Sequence, residues 1–168
     1  MIHVCSLARL HDVVETLGAR HVVTLLATED TVLRPYGVPE ENHLWLRMHD
    51  IAMPVGGFVS PEREHVALLL DFVTRWDRTS PMVVHCYAGI SRSTAAAFAS
   101  VCALNPRRDE FAVAQALREA SPTAYPNPRI VALADDLLGR DGRMTAAVEA
   151  IGRGAIAAEG VPFRLDLE

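Results

Sequence analysis

The chain reads as an α/β protein with a mostly parallel central sheet of about 4–5 strands flanked by helices. Three observations predict this. Short apolar runs alternate with longer segments of helical period along the whole chain. The run from Met82 to Val84 is apolar throughout and stops at His85, as a central strand covered on both faces does. Hydrophobic residues make up 50% of the chain and charged residues 22%, a balance that supports a packed core.

Taken in order, Ile2 to Cys5 reads as a strand, Arg9 to Leu17 as a helix stopped by Gly18, and His21 to Leu26 as a second strand. Thr28 to Tyr36 is polar and carries breakers, hence a loop. From His43 to Met48, Leu44, Leu46 and Met48 alternate onto one face, which predicts a third strand ending at His49 and Asp50. Pro54 to Pro61 holds two glycines and two prolines and is a loop. Pro61-Glu62 then opens a helix with Val66, Leu69, Leu70, Val73 and Trp76 at helical spacing.

After the Met82–His85 strand, Ser93 to Leu104 forms a helix ended by Asn105-Pro106, and a further helix runs from Asp109 to Ala120. The next starts at Asn127-Pro128 and stops at Gly139, and a last helix spans Arg143 to Ile151 behind an Asp141-Gly142 turn. The tail, 152–168, reads as loosely held. At 168 residues the chain fits one domain, 1–168, able to fold without disulfides or metal.

A net charge of −5 argues against partners such as nucleic acid or anionic lipid. Three scattered cysteines, Cys5, Cys86 and Cys102, fit a reducing compartment, and the N-terminus lacks the pattern of a secretory signal. No apolar run approaches membrane-spanning length, so the expectation is a soluble cytoplasmic protein. The seven histidines are dispersed, with no metal-ligand spacing, and nothing implies a cofactor.

The chemistry concentrates in Val84-His85-Cys86-Tyr87-Ala88-Gly89-Ile90-Ser91-Arg92-Ser93. A strand entering a tight loop that leads into a helix makes an anion site, because the first helical N–H groups lack partners and the helix dipole is positive there. Tyr87, Ala88, Gly89, Ile90, Ser91 and Arg92 supply amides that can converge on a phosphate, Gly89 lets the backbone turn, and Arg92 offers a planar fork of donors. The same potential favours thiolate at Cys86, a nucleophile. Ser93 can donate to the Cys86 sulfur or cap the helix. His85, by strand alternation, points away from the pocket and fixes loop geometry.

His-Cys-five residues-Arg-Ser resembles the phosphate loop of cysteine-dependent protein tyrosine phosphatases, and the form from His85 to Ser93 is closest to the dual-specificity branch and its small bacterial relatives. The resemblance runs from about His43 to Gly139. It implies a three-layer fold and hydrolysis of phosphotyrosine, with phosphoserine and phosphothreonine as further substrates, in phosphorylated proteins or peptides. It further implies that a cysteinyl-phosphate forms on Cys86 and that no metal is needed. It also implies that Asn127 braces the loop, although an N-cap role explains that residue equally well.

Such an enzyme needs a carboxylic acid on a movable loop to protonate the leaving oxygen. Asp30, Asp50, Asp71 and Asp77 all precede Cys86. Asp71 and Asp77 sit on or just after the helix that returns to the Met82 strand and should face solvent or the opposite end of the sheet. Asp50 ends the third strand on the edge where Cys86 lies if the two strands are parallel, and is the candidate, with Asp30 next. Arg129 reads as solvated, Cys102 as core, and Cys5 as close enough to Cys86 for a protective disulfide. Two other readings compete: a rhodanese-like sulfurtransferase and a non-catalytic phosphotyrosine-binding module. The loop adds no further basic residue, which argues against inositol phosphates.

Overall fold

The computed structural model describes residues 1–167. Five strands form one sheet in the order β3-β2-β4-β1-β5. They are β1 (Ile2–Ser6), β2 (His21–Leu26), β3 (His43–Arg47), β4 (Met82–Cys86) and β5 (Phe163–Leu165). The first four run parallel, and β5 alone is antiparallel, on the outer edge of β1. Six α-helices join them: α1 (Leu10–Leu17), α2 (Arg63–Arg75), α3 (Arg92–Leu104), α4 (Glu110–Ala120), α5 (Pro128–Leu137) and α6 (Arg143–Ile151).

Strand alternation sorts the core into two clusters. Met82, Val84 and Cys86 face a large cluster with Leu69, Phe98, Leu117 and Ile130, built by α2 to α6. Cys5, Val22 and Val83 face a smaller one closed by Leu10 and Val14 of α1. The layers are therefore five helices, the sheet, and one helix.

Helix α3 lies at the centre of the thick layer, with every residue from Arg92 to Cys102 buried. Its run of alanines lets α2, α4 and α5 approach closely. Several boundaries come from side chains near the helix ends. Asp109 caps α4 through Ala112 N, Asn127 caps α5 through Arg129 N and Ile130 N, and Gly18 at φ 60° ends α1. Glu62 and His65 form a reciprocal capping pair at the start of α2.

The tail departs from expectation. Residues 163–165 pair with Ile2–Val4 of β1, Leu165 is buried, and Gly154 and Gly160 pack tightly on neighbouring backbone. Arg118 holds the segment's start, donating to the carbonyls of Ser121, Pro122, Ala124 and Gly152. A three-residue strand with one buried apolar side chain is too short for a periodicity signal, which is why 152–168 reads as loose in sequence. Glu168 lies outside the described residues.

Candidate functional site

Strand β4 delivers Cys86 to the C-terminal edge of the sheet, and α3 begins at Arg92. The chain between them curls because its carbonyls are held from outside. Tyr87 O accepts from Leu7 N at 3.1 Å, Ala88 O from Gly160 N at 2.9 Å, Ile90 O from Tyr125 N at 2.9 Å, and Ser91 O from Asn127 N at 3.3 Å. With the carbonyls pinned outward, peptide planarity turns the intervening N–H groups toward the loop's centre. Among the described residues, the amides of Ala88, Ile90 and Ser91 donate to no protein acceptor.

Gly89 has a positive φ of 73°. A Cβ there would stand 2.8 Å from the Cys5 carbonyl carbon and 2.9 Å from Ser6 N, so the close approach of the loop to β1 requires glycine.

The Cys86 sulfur has two hydrogen-bond partners. Gly89 N–H lies 3.3 Å from Sγ and the Ser93 hydroxyl 3.1 Å from it. Ser93 is not the helix cap: the N-cap position belongs to Ser91, which makes no capping bond. Arg92 is 6% exposed, and its Nη1 donates to Met48 O at 2.8 Å while Nε is buried without a partner. A buried guanidinium with a free donor beside free amides is the local positive potential that a phosphoryl group requires in a chain of net charge −5.

Asp50 stands just past β3, at the same edge. Its Oδ1 accepts from Ser91 Oγ at 2.7 Å and from Asn127 Nδ2 at 2.8 Å, so both bonds fall on one oxygen. Asn127 meanwhile caps α5 with its own Oδ1 and bonds Ser91 O through its backbone N–H. Capping and bracing thus coexist in one residue.

The loop that follows Asp50 is closed at its base by His49. His49 N donates to Val59 O, Val59 N donates to His49 Nδ1, and His49 Nε2 meets Glu29 Oε2 at 3.1 Å. Because Nδ1 accepts, Nε2 carries the proton and donates to the carboxylate. The turn containing Asp30 therefore reaches this loop through Glu29, and Asp30 itself makes no side-chain bond to the loop. Asp71 pairs with Arg75, and Asp77 caps a turn at Thr79, away from Cys86.

His85 lies on the opposite face from Cys86. Its Nε2 bonds Thr24 Oγ1 at 2.7 Å, and Thr24 Oγ1 bonds His43 Nε2 at 2.8 Å. Burial drives its pKa from 6.5 down to about 3, so the ring is neutral at ordinary pH.

Three other expectations need correction. Cys5 pairs in register with His85, and alternation places its side chain in the α1 cluster, whereas Cys86 faces the large cluster; the two thiols stand on opposite faces of the sheet. Burial, then the neighbouring Cys86, pushes the Cys5 thiol up to about 12. Arg129 is not simply solvated: its Nε donates to Pro61 O and its Nη2 reaches Glu62, tying α5 to α2. The tail, read as loose, supplies Gly160 to the loop and sets Glu159 Oε1 2.5 Å from Ser6 Oγ. Sequence periodicity holds no signal for these long-range partners, nor for Thr24 or the Met48 carbonyl.

Among the described residues no cluster of metal-ligating side chains occurs, and no helix is long and apolar enough to cross a membrane.

The family model described as protein-tyrosine phosphatase matches residues 57–124, a stretch that contains the loop from Cys86 to Arg92 and excludes Asp50 and Asn127. Among solved structures, DUSP15 is 18% identical with a TM-score of 0.65, over 89% of this chain and 90% of that one. The human tyrosine phosphatase-like serine/threonine/tyrosine-interacting protein is 18% identical with a TM-score of 0.64, over 83% and 92%. The PTP-2 phosphatase of Cydia pomonella is 19% identical with a TM-score of 0.60, over 80% and 84%. At these identities the likeness is one of fold. No curated protein matches the chain in sequence.

Proposed function

We propose that this chain, which resembles a small dual-specificity-like protein tyrosine phosphatase, hydrolyses phosphate monoesters on protein side chains, phosphotyrosine first, through a cysteinyl-phosphate. The observation that carries the reading is the Cys86 loop. A buried sulfur bonded by Gly89 N–H and by the Ser93 hydroxyl group is enclosed by carbonyl-pinned backbone and stands six residues before a buried arginine with a free Nε.

The steps follow from the positions. The substrate's nonbridging oxygens lie on the inward amides and the Arg92 guanidinium, and Cys86 Sγ attacks phosphorus, forming S–P as the ester P–O bond breaks. The departing oxygen takes a proton from Asp50, whose Oδ2 is free of the bonds that hold Oδ1. Asp50 then accepts a proton from water as the water oxygen attacks phosphorus. The S–P bond breaks, and the Ser93 hydroxyl stabilises the sulfur as it leaves with the electron pair.

A fold shared with a phosphatase-like interacting protein does not by itself make an enzyme. Here Cys86 and Arg92 are both present, which favours catalysis over simple binding of phosphotyrosine.

The test is hydrolysis of p-nitrophenyl phosphate and of a phosphotyrosine peptide in the presence of chelator. Cys86→Ser should abolish both. Asp50→Asn should lower peptide turnover by roughly 10²- to 10⁴-fold and affect the p-nitrophenyl ester far less, because its phenolate leaves readily unprotonated. Activity that survives in Cys86→Ser would sink the mechanism, and sulfur transfer from thiosulfate without phosphatase activity would favour a rhodanese-like reaction.

A further inference from the structure

We infer that the groove between the first half of the phosphate loop and the C-terminal segment is a subsite for a basic side chain of the phosphorylated polypeptide, with Glu159 as its charge partner. This rests on the phosphatase reading above. The groove has a volume of about 380 Å³ and is lined by Leu7, Ala8, Tyr87, Ala88, Ala158 and Glu159. Two of those residues belong to the loop itself, so the groove adjoins the outer side of the loop.

A carboxylate here is electrostatically out of place. The loop must attract a dianion, and an acidic side chain at its rim opposes that attraction. Glu159 is exposed, yet its side chain is tied to β1. Ser6 Oγ donates to its Oε1 at 2.5 Å, and the next residue, Gly160, is fixed by its N–H to Ala88 O and by packing on Gly89. The second oxygen, Oε2, makes no protein hydrogen bond and remains available to a ligand.

The remaining walls suit the rest of such a ligand. Leu7, Ala8 and Ala158 offer apolar surface to a methylene stem, and the ring of Tyr87, 61% exposed, borders the same space. Lysine and arginine bury their stems along apolar surface while placing the charged head on an acceptor. An acidic or phosphorylated flanking residue would meet repulsion from Glu159, so the carboxylate selects against one sequence class while attracting the other.

The experiment compares kcat/KM for phosphotyrosine peptides identical except for Lys, Ala or Glu at each flanking position, using wild type, Glu159→Gln and Glu159→Lys. The wild type should prefer Lys over Ala at one flanking position by roughly two- to fivefold, the range expected of a solvent-accessible ion pair. That preference should vanish in Glu159→Gln, which keeps an acceptor for Ser6, and turn toward Glu in Glu159→Lys. In the wild type the Lys-over-Ala ratio should also shrink as salt rises, a measurement that needs no variant. Equal ratios in the wild type, or a Lys preference that persists in Glu159→Gln, overturn the subsite. A wild type inactive on p-nitrophenyl phosphate would instead overturn the phosphatase reading, since that substrate has no flanking residue.

Discussion

Asp50 and Ser91 are joined directly: the Ser91 hydroxyl donates to Asp50 Oδ1 at 2.7 Å, across 41 residues of sequence. The candidate acid is thereby anchored to the loop that surrounds Cys86, and Asn127 holds the same oxygen from α5. One carboxylate oxygen serves position while the other stays open to substrate.

This arrangement predicts that Ser91→Ala lowers kcat on phosphotyrosine peptide by roughly tenfold, less than Asp50→Asn, because the Asn127 bond remains. In an Asp50→Asn background, Ser91→Ala should add little. Rapid-mixing kinetics on the single and double variants checks this; fully additive effects would show that Ser91 acts without Asp50.

Gly160→Ala should damage a loop that lies 71 positions away in sequence. A Cβ at Gly160 would stand 2.8 Å from Gly89 O, so either the tail or the loop must shift. We expect kcat to fall by roughly ten- to a hundredfold, as displacements of about 1 Å at a reacting centre do. Full activity at unchanged thermal stability would exclude the coupling.

Acid should destabilise the protein through His85. Its folded-state pKa of about 3 lies below the ordinary value of 6.5, so the unfolded chain takes up a proton as pH falls through 6.5 and the folded chain does not until about 3. Stability is lost across that window by about 1.4 kcal/mol per pH unit. His3, His21 and His43 are pushed down in the same direction by partial burial and add to the slope. Urea unfolding at several pH values should give a slope for His85→Gln that is smaller by about one proton. Equal slopes would mean that His85 is not kept neutral.

Thiol chemistry should single out Cys86. Burial raises Cys5 and Cys102 to about 12, leaving both as thiols at neutral pH. Iodoacetate at neutral pH should add one carboxymethyl group, on Cys86, with protection by vanadate and no addition to Cys86→Ser. Intact-mass analysis finding labelled Cys5 or Cys102 first would contradict this.

How much of this was legible in the sequence depends on the range over which each feature is encoded. Strands β1 to β4 and all six helices follow from local pattern and caps, since Gly18, Pro128 and Asp109 act within a turn of their own helices. The Cys86–Ser93 contact is local as well. What the sequence hid is partnership across long separations: Gly160 with Ala88, Glu159 with Ser6, and Thr24 between two histidines. Strand β5 was hidden for a different reason, because pairing on the edge of β1 forms it and three residues show no period. The side to which Cys5 points follows from strand parity, which becomes decisive only once its register with His85 is known.

The Gly160–Ala88 bond also bears on the order in which the chain folds. During synthesis the nucleophile loop leaves the ribosome long before residues 159–165 do, and the N-terminal part of the chain begins to fold first. Until that segment emerges, Ala88 O has no N–H to hold it outward, and the outer edge of β1 is unpaired. A chain that has not yet released residues 159–165 thus carries Cys86 in a loop that lacks one of its outward holds.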